Sequence, residues 1–276
     1  MTLQLLICTI DRGIDRVCDL VLPPLNDISY VVSWQHSTAD DDRTVPSVLQ
    51  RDDIQVHHLD GRGLSRNRNH CLRHATGDIC MVCDDDCRYH PQWLRAVVNA
   101  FEQQPTLDVA TFMMQSEYCH KHYPKQSIDL RHSPAGYYPT SFELAFRRSS
   151  VQDRLQFNEH FGLGAQLFHC GEEEIFVHDA LSLGLSCRFL PITVVEHDHP
   201  TTDQTRSDTV GVLMGRGAYL YIGYRSKMFF YPLPIAWRLH RRHGSNLWHC
   251  LKYMYKGLFH ILRHRELASA GIIKKR

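Results

Sequence analysis

Gly77-Asp-Ile-Cys-Met-Val-Cys-Asp84-Asp85-Asp86 is an apolar run that ends in three carboxylates. Asp78–Cys83, bounded by a glycine turn and rich in Ile, Val and Met, reads as a buried strand. In an open α/β sheet, ligands bind outside the carboxyl ends of the strands. Adjacent carboxylates repel one another unless a cation sits among them. Oxygen donors of this kind suit Mg²⁺ or Mn²⁺, which keep waters and accept phosphate oxygens as further ligands. A solvated acidic turn is the plain structural alternative.

Upstream, strand-like and helix-like stretches alternate. Leu3–Ile10, Ile28–Trp34 and Asp53–Leu59 are β-rich; Asp11–Leu22 and Gly63–Ala75 have helical character. Downstream, Pro91–Gln103 is a helix with proline in its first turn, and Leu107–Met114 is a fifth strand. The alternation predicts βαβ units, hence an α/β fold with a mostly parallel central sheet flanked by helices. Beyond residue 115 the pattern loosens. Thr38–Pro46 and Glu117–Pro139 read as loops, Ser141–Arg147 as a strand, and Phe161-Gly-Leu-Gly-Ala165 as a turn. Gly171–Leu183 is an amphipathic helix, and Ser186–Val195 is a strand running into Glu196-His-Asp-His-Pro200.

Gly61-Arg-Gly-Leu-Ser65-Arg66-Asn67-Arg68-Asn69 places glycines before a helix start. Free backbone N–H groups and forked guanidinium donors there suit a phosphate or a base. The stretch lacks the GK[ST] of a Walker loop and does not complete G-x-G-x-x-G. Its weight comes from lying one helix and one strand before the acidic triplet.

The order Gly63–Asn69, Ala75-Thr-Gly-Asp-Ile79, Asp84–Asp86 resembles the family 2 glycosyltransferases of the GT-A fold, a Rossmann-like architecture. Gly171-Glu-Glu-Glu-Ile-Phe176, Asp179, Pro191 and His197 resemble bacterial members that build surface polysaccharides. The resemblance spans roughly residues 3–225. It implies an inverting, metal-dependent transfer from a nucleotide sugar, most simply UDP-linked, to a glycan or lipid-linked glycan. By the same resemblance Thr9, Ile10, Ser65, Arg66, Asn69, Asp84 and Asp85 line the donor, and Asp86 binds the metal. His197 is the second expected metal ligand, with His199 as its alternate. The family's acid at the end of the second strand is missing here; Gln35 offers an amide to a uracil edge instead, and Asp60 is a further candidate. Glu173 matches the catalytic base, which must be ionised and within reach of the acceptor hydroxyl. Glu172 and Glu174 are its rivals, because a helix start favours acids through its dipole.

The chain has 276 residues and ten cysteines. Cys8, Cys80, Cys83 and Cys187 lie in apolar runs, which predicts buried thiols. Cys80 and Cys83 would point to opposite faces of a strand, which argues against a shared zinc ion. The net charge of +1 hides an asymmetry: Arg216–Arg276 carries 13 Lys and Arg against one acid, Glu266. This divides the chain into a GT-A domain, 1–215, and a basic aromatic helical extension, 216–276. The domain would have a nucleotide half (about 1–115) and an acceptor half (about 116–215). Leu247–Arg263 is an amphipathic helix with a cationic polar face. Aromatics interleaved with cations fit a membrane interface better than a nucleic acid, so no nucleic-acid partner is expected. Met1 runs almost directly into the first strand without a basic leader or cleavage site, so a cytoplasmic location, peripheral on the membrane, is expected. Two other classes use the same acids. A metal phosphohydrolase or nucleotidyltransferase would turn over with water or another nucleotide, and a catalytically silent nucleotide-binding membrane module would bind without turnover.

Overall fold

The computed structural model describes residues 1–38, 44–119, 121–134, 136–199 and 205–273. Part of the polar loop expected at 38–46, Pro200 and the last three residues of the basic extension lie outside the described residues.

The strands are β1 (Leu3–Ile10), β2 (Ile28–His36), β3 (Ile54–Asp60), β4 (Ile79–Asp84), β5 (Val109–Gln115), β6 (Ile128–Asp129), β7 (Leu144–Arg147) and β8 (Cys187–Glu196). They form one sheet in the order β3-β2-β1-β4-β7-β5-β8-β6. β1 to β4 are mutually parallel, as are β5 and β8; β7 runs antiparallel between β4 and β5, and β6 antiparallel along β8. The sheet is therefore mixed.

Two of the departures from the sequence reading have local causes. Ser141–Glu143 forms a 3-10 turn rather than strand, because Thr140 and Glu143 cap each other reciprocally. Only Leu144–Arg147 extends into the sheet. The stretch read as loop at 117–139 contributes the two residues of β6, too short to announce themselves by alternation.

Alternation along β1 sends Leu3, Leu5 and Ile7 to one face and Leu6 and Cys8 to the other. The first face is covered by α1 (Ile14–Leu20) and α3 (Pro91–Gln103). The second is covered by α2 (Leu64–His74) and α5 (Glu172–Ser182); a short α4 (Arg148–Val151) follows β7. Each large side chain fully buried here contributes about 1.5–3 kcal/mol. All ten cysteines are unbridged thiols.

A third layer lies outside α5: α6 (Val210–Gly223), α7 (Pro232–His243) and α8 (Leu247–Arg263). The change of charge at residue 216 falls inside α6. Asn246 caps α8 by accepting from the His249 N–H. The apolar side of α8 (Leu251, Met254, Leu258, Ile261) is buried within this layer. α6 and α8 cross at glycines: a Cβ on Gly217 would stand 1.9 Å from the Met254 carbonyl oxygen, and one on Gly257 2.0 Å from that of Met214. No helix among the described residues is long and apolar enough to cross a membrane.

Candidate active site

The parallel register places Cys8 of β1 beside Asp84 of β4, so both strands end at the same edge. The three acids then part company. Asp85 turns toward β1 and α1. Thr9 Oγ1 donates to its Oδ2 at 2.5 Å, and Arg16 Nη2 donates to its Oδ1 at 2.6 Å. Burial pushes its carboxyl above the ordinary range, against the pull of those donors. Gly13 makes room, since a Cβ there would stand 2.2 Å from Asp85 and 2.3 Å from Thr9.

Asp86 faces the end of β8, with its Oδ1 3.5 Å from His197 Nε2. Burial raises Asp86, but the hydrogen bond and charge of His197 outweigh it and hold the carboxyl below its ordinary value. Burial likewise opposes charge on His197, and Asp86 again outweighs it, so the imidazole titrates higher than usual. The ring stacks on Phe142, centroids 4.7 Å apart, and its buried Nδ1 has no hydrogen-bond partner. His199 is exposed, its ring 6.2 Å from that of His197.

Asp84 faces inward. Ser141 Oγ donates to its Oδ2 at 3.0 Å, and Arg68 Nη2 lies 3.4 Å from its Oδ1. Arg68 is fully buried and is the hub of the site. Its Nη1 donates to Glu172 Oε1 at 3.2 Å and Glu173 Oε1 at 3.1 Å, while Phe157 lies under the guanidinium. Burial works against this cation, but Glu173, Asp84 and Glu172 together hold it charged. A buried cation among three acids is a high-stakes arrangement: removing it would strand their charges.

The carboxylates of α5 differ in role. Glu172 is buried, its Oε2 is unpartnered, and burial, followed by the charge of Glu173, pushes it up to about 8. Glu174 is pushed up by the same two causes. Glu173 keeps 15% of its side chain exposed, so solvent reaches it while it holds Arg68. Gly171, with φ 98, opens α5 in a left-handed conformation.

The two glycine turns abut. Leu64 N–H donates to Leu163 O at 2.8 Å, and a Cβ on Gly164 would stand 3.0 Å from Gly63 N. Ser65 and Asn69, expected beside the nucleotide, have their side chains engaged with this downstream segment. Ser65 Oγ donates to Phe161 O at 2.7 Å, and Asn69 brackets Phe157 by donating to its carbonyl and accepting from its N–H. Arg66 donates to the Asp60 carbonyl at 2.5 Å, folding back on its own loop. Gln35 is buried and its amide donates to Gly63 O at 3.3 Å. Ile10, 37% exposed, pairs in register with Gln35 at the edge of the sheet. A carboxylate does reach the end of β2, but it comes from the turn after β1: Asp11 accepts from Ser37 N at 2.8 Å and Ser37 Oγ at 2.6 Å.

The inward role of Arg68 and the bracing roles of Arg16, Ser141 and Asp11 were not expected. Helical spacing carries a signal for the first. Ser65, Arg68, Asn69 and Leu72 recur at three- and four-residue intervals, and all are buried, while Arg66 is not.

The arrangement thus joins an acidic strand end, a buried arginine and an acidic helix start. Residues 8–166 match the family model described as Glycosyl transferase family 2. The chain belongs to that family. Among solved structures, this family 2 chain is similar to S. aureus TarS 1-349 in complex with UDP. Identity is 14% and the TM-score 0.59, with 98% of this chain and 89% of that one covered. The same fragment in complex with UDP-GlcNAc matches at 13% identity and TM-score 0.59, over the same shares of both chains. The whole TarS structure matches at 14% identity and TM-score 0.53, covering 95% of this chain and 44% of that one. At such identities the likeness is one of fold. No curated protein matches the chain.

A divalent cation is implied by the family resemblance. Among the described residues no group of three or more His, Cys, Asp or Glu is arranged to hold a metal. Mg²⁺ and Mn²⁺ are commonly bound through one or two protein ligands, with water and phosphate oxygens completing the shell. Asp86, 32% exposed, and His197, with a buried nitrogen lacking a partner, fit that smaller demand.

Proposed function

We propose that the chain is an inverting glycosyltransferase that moves a sugar from a nucleotide-sugar donor, UDP-linked, to a hydroxyl of a glycan or lipid-linked glycan in polysaccharide or cell-surface glycan synthesis. The observation that carries this reading is the Arg68 hub. It ties Asp84, at the end of β4, to Glu172 and Glu173, at the start of α5, so that a donor-side acid and a candidate base share one buried cation.

In this mechanism the donor lies over the ends of β1 and β4, lined by Thr9, Ile10, Asp84 and the glycine turn. Asp86 and His197 would hold the divalent cation, whose chemistry is to neutralise charge on the departing diphosphate. Glu173 takes the acceptor proton, and Arg68 orients its carboxylate. Glu172, pushed up by its burial, is the less readily ionised of the two and the poorer base. Ser65 and Asn69 fix the second glycine turn against the first, and the enzyme works at the cytoplasmic face of a membrane.

The test is a panel of nucleotide sugars with Mn²⁺, read as thermal stabilisation and as acceptor-dependent nucleotide release. A ligand at ~100 Kd stabilises by about 2.7 kcal/mol. Release that proceeds equally fast with water alone would point to a hydrolase and overturn the assignment.

A further inference from the structure

The outer layer presents groups that the fold does not use. Phe230, just before α7, and Leu233 and Trp237 within it lie three and four residues apart, on one side of the helix. They are 71%, 52% and 59% exposed, whereas Pro232, Ala236 and Leu239 on the other side are buried. Arg238, Arg241 and Arg242 are exposed on the same helix, and the Arg241 guanidinium lies 5.5 Å from the centroid of the Trp237 ring. Trp248, 77% exposed, stands at the start of α8. Residues 224–263 contain eight Lys and Arg and no Asp or Glu.

Large exposed apolar groups gathered on one element mark a contact surface. The charge selects the occupant. A second copy meeting this face would set cations against cations. An anionic bilayer surface satisfies both chemistries: lipid phosphates pair with guanidinium groups, while Trp and Phe settle at the headgroup boundary. A helix lying in the interface needs an apolar side and a cationic flank, and does not need the length of a span. α8 cannot supply this, because its apolar side is buried in the protein; α7 can.

We propose that α7, through Phe230, Leu233 and Trp237 flanked by Arg238, Arg241 and Arg242, docks the enzyme on an anionic lipid surface. This deepens the reading above, on which it rests for a lipid-linked acceptor. α6 packs on α5 in one apolar cluster (Met214 with Ile175) and joins α7 in another (Leu213 with Ala236 and Leu239), so the docked face and the acidic site belong to adjacent layers.

The whole protein is mixed with vesicles of phosphatidylcholine, alone or with phosphatidylglycerol, and sedimented. Partition into the anionic vesicles should be at least about tenfold stronger, should weaken with added salt, and should blue-shift tryptophan fluorescence. The double variant Phe230→Ala/Trp237→Ala should lose about tenfold in partition. Its melting temperature and its stabilisation by UDP with Mn²⁺ should be unchanged. Equal binding to both vesicles, a variant that binds like the parent, or a concentration-dependent dimer that the variant abolishes would overturn the proposal. Vesicle binding that persists in a protein unable to transfer sugar would instead sink the proposed function and leave the docking surface standing.

Discussion

Two regions of this molecule are rich in charge and treat it in opposite ways. Around Arg68 a single buried cation meets three carboxylates from two distant parts of the chain. Along residues 224–263, which hold α7 and α8, eight cations meet no acid of their own stretch and face outward beside bare aromatic rings. Charges buried together fix geometry, because each would be costly to bury alone. Cations left in water beside apolar groups fix nothing inside the protein; their use lies with a partner.

The contrast can be broken most sharply at the site. Replacing Glu173 with Gln should cut kcat by about 10²–10⁴-fold while UDP binding, read by calorimetry, stays near the parent value. An active Glu173→Gln enzyme would move the base elsewhere on α5. Asp86→Ala should lower transfer by about 10²–10³-fold, a loss that extra Mn²⁺ does not restore. Arg68→Met leaves Asp84, Glu172 and Glu173 facing one another without their cation. It should cost about 3–5 kcal/mol in urea unfolding, far more than Arg238→Met on α7, which should change stability by under about 0.5 kcal/mol. If both variants melt alike, the hub does not hold the two halves of the site together.

A smaller effect sharpens the outer layer. Gly257→Ala forces a Cβ against the Met214 carbonyl, so α6 and α8 must part, at about 1–3 kcal/mol by thermal unfolding. The last is a slope. Glu172 titrates near 8 in the fold against an ordinary 4.5, so the folded state binds the extra proton between those values. That contribution is complete below about pH 4.5 and is lost as pH rises through 8, by at most about 1.4 kcal/mol per pH unit. Glu172→Gln should flatten stability against pH in that window; an unchanged profile would show that Glu172 is ionised at neutral pH.

Much of the scaffold was legible in the residues. Pro91–Gln103 and Leu247–Arg263 have the bounds that proline at the first turn and apolar periodicity indicated. The apolar runs of β1, β2 and β4 form strands where the residues indicated, and the acidic triplet stands at the carboxyl end of β4. Other features depend on contacts between residues far apart in sequence. Nothing in Leu144–Arg147 states that it inserts antiparallel between β4 and β5. Ser65 and Asn69 carry polar groups suited to a nucleotide as well as to a backbone, and only packing engaged them with Phe157 and Phe161. Asp84, Asp85 and Asp86 read as one cluster, yet successive residues at a strand end diverge, and each found a different partner.

The sequence by itself determined the α/β alternation, the strand that carries the acids, the acidic start of α5 and the cationic excess near the carboxyl end, because periodicity and composition are local properties. The tertiary structure alone decided that Arg68 points inward to gather Asp84, Glu172 and Glu173. It also decided that the apolar side of α8 is buried while the aromatics of α7 stay exposed. The reason is physical: which face of an element meets protein and which meets water follows from what packs beside it, and burial then fixes which charges must find partners.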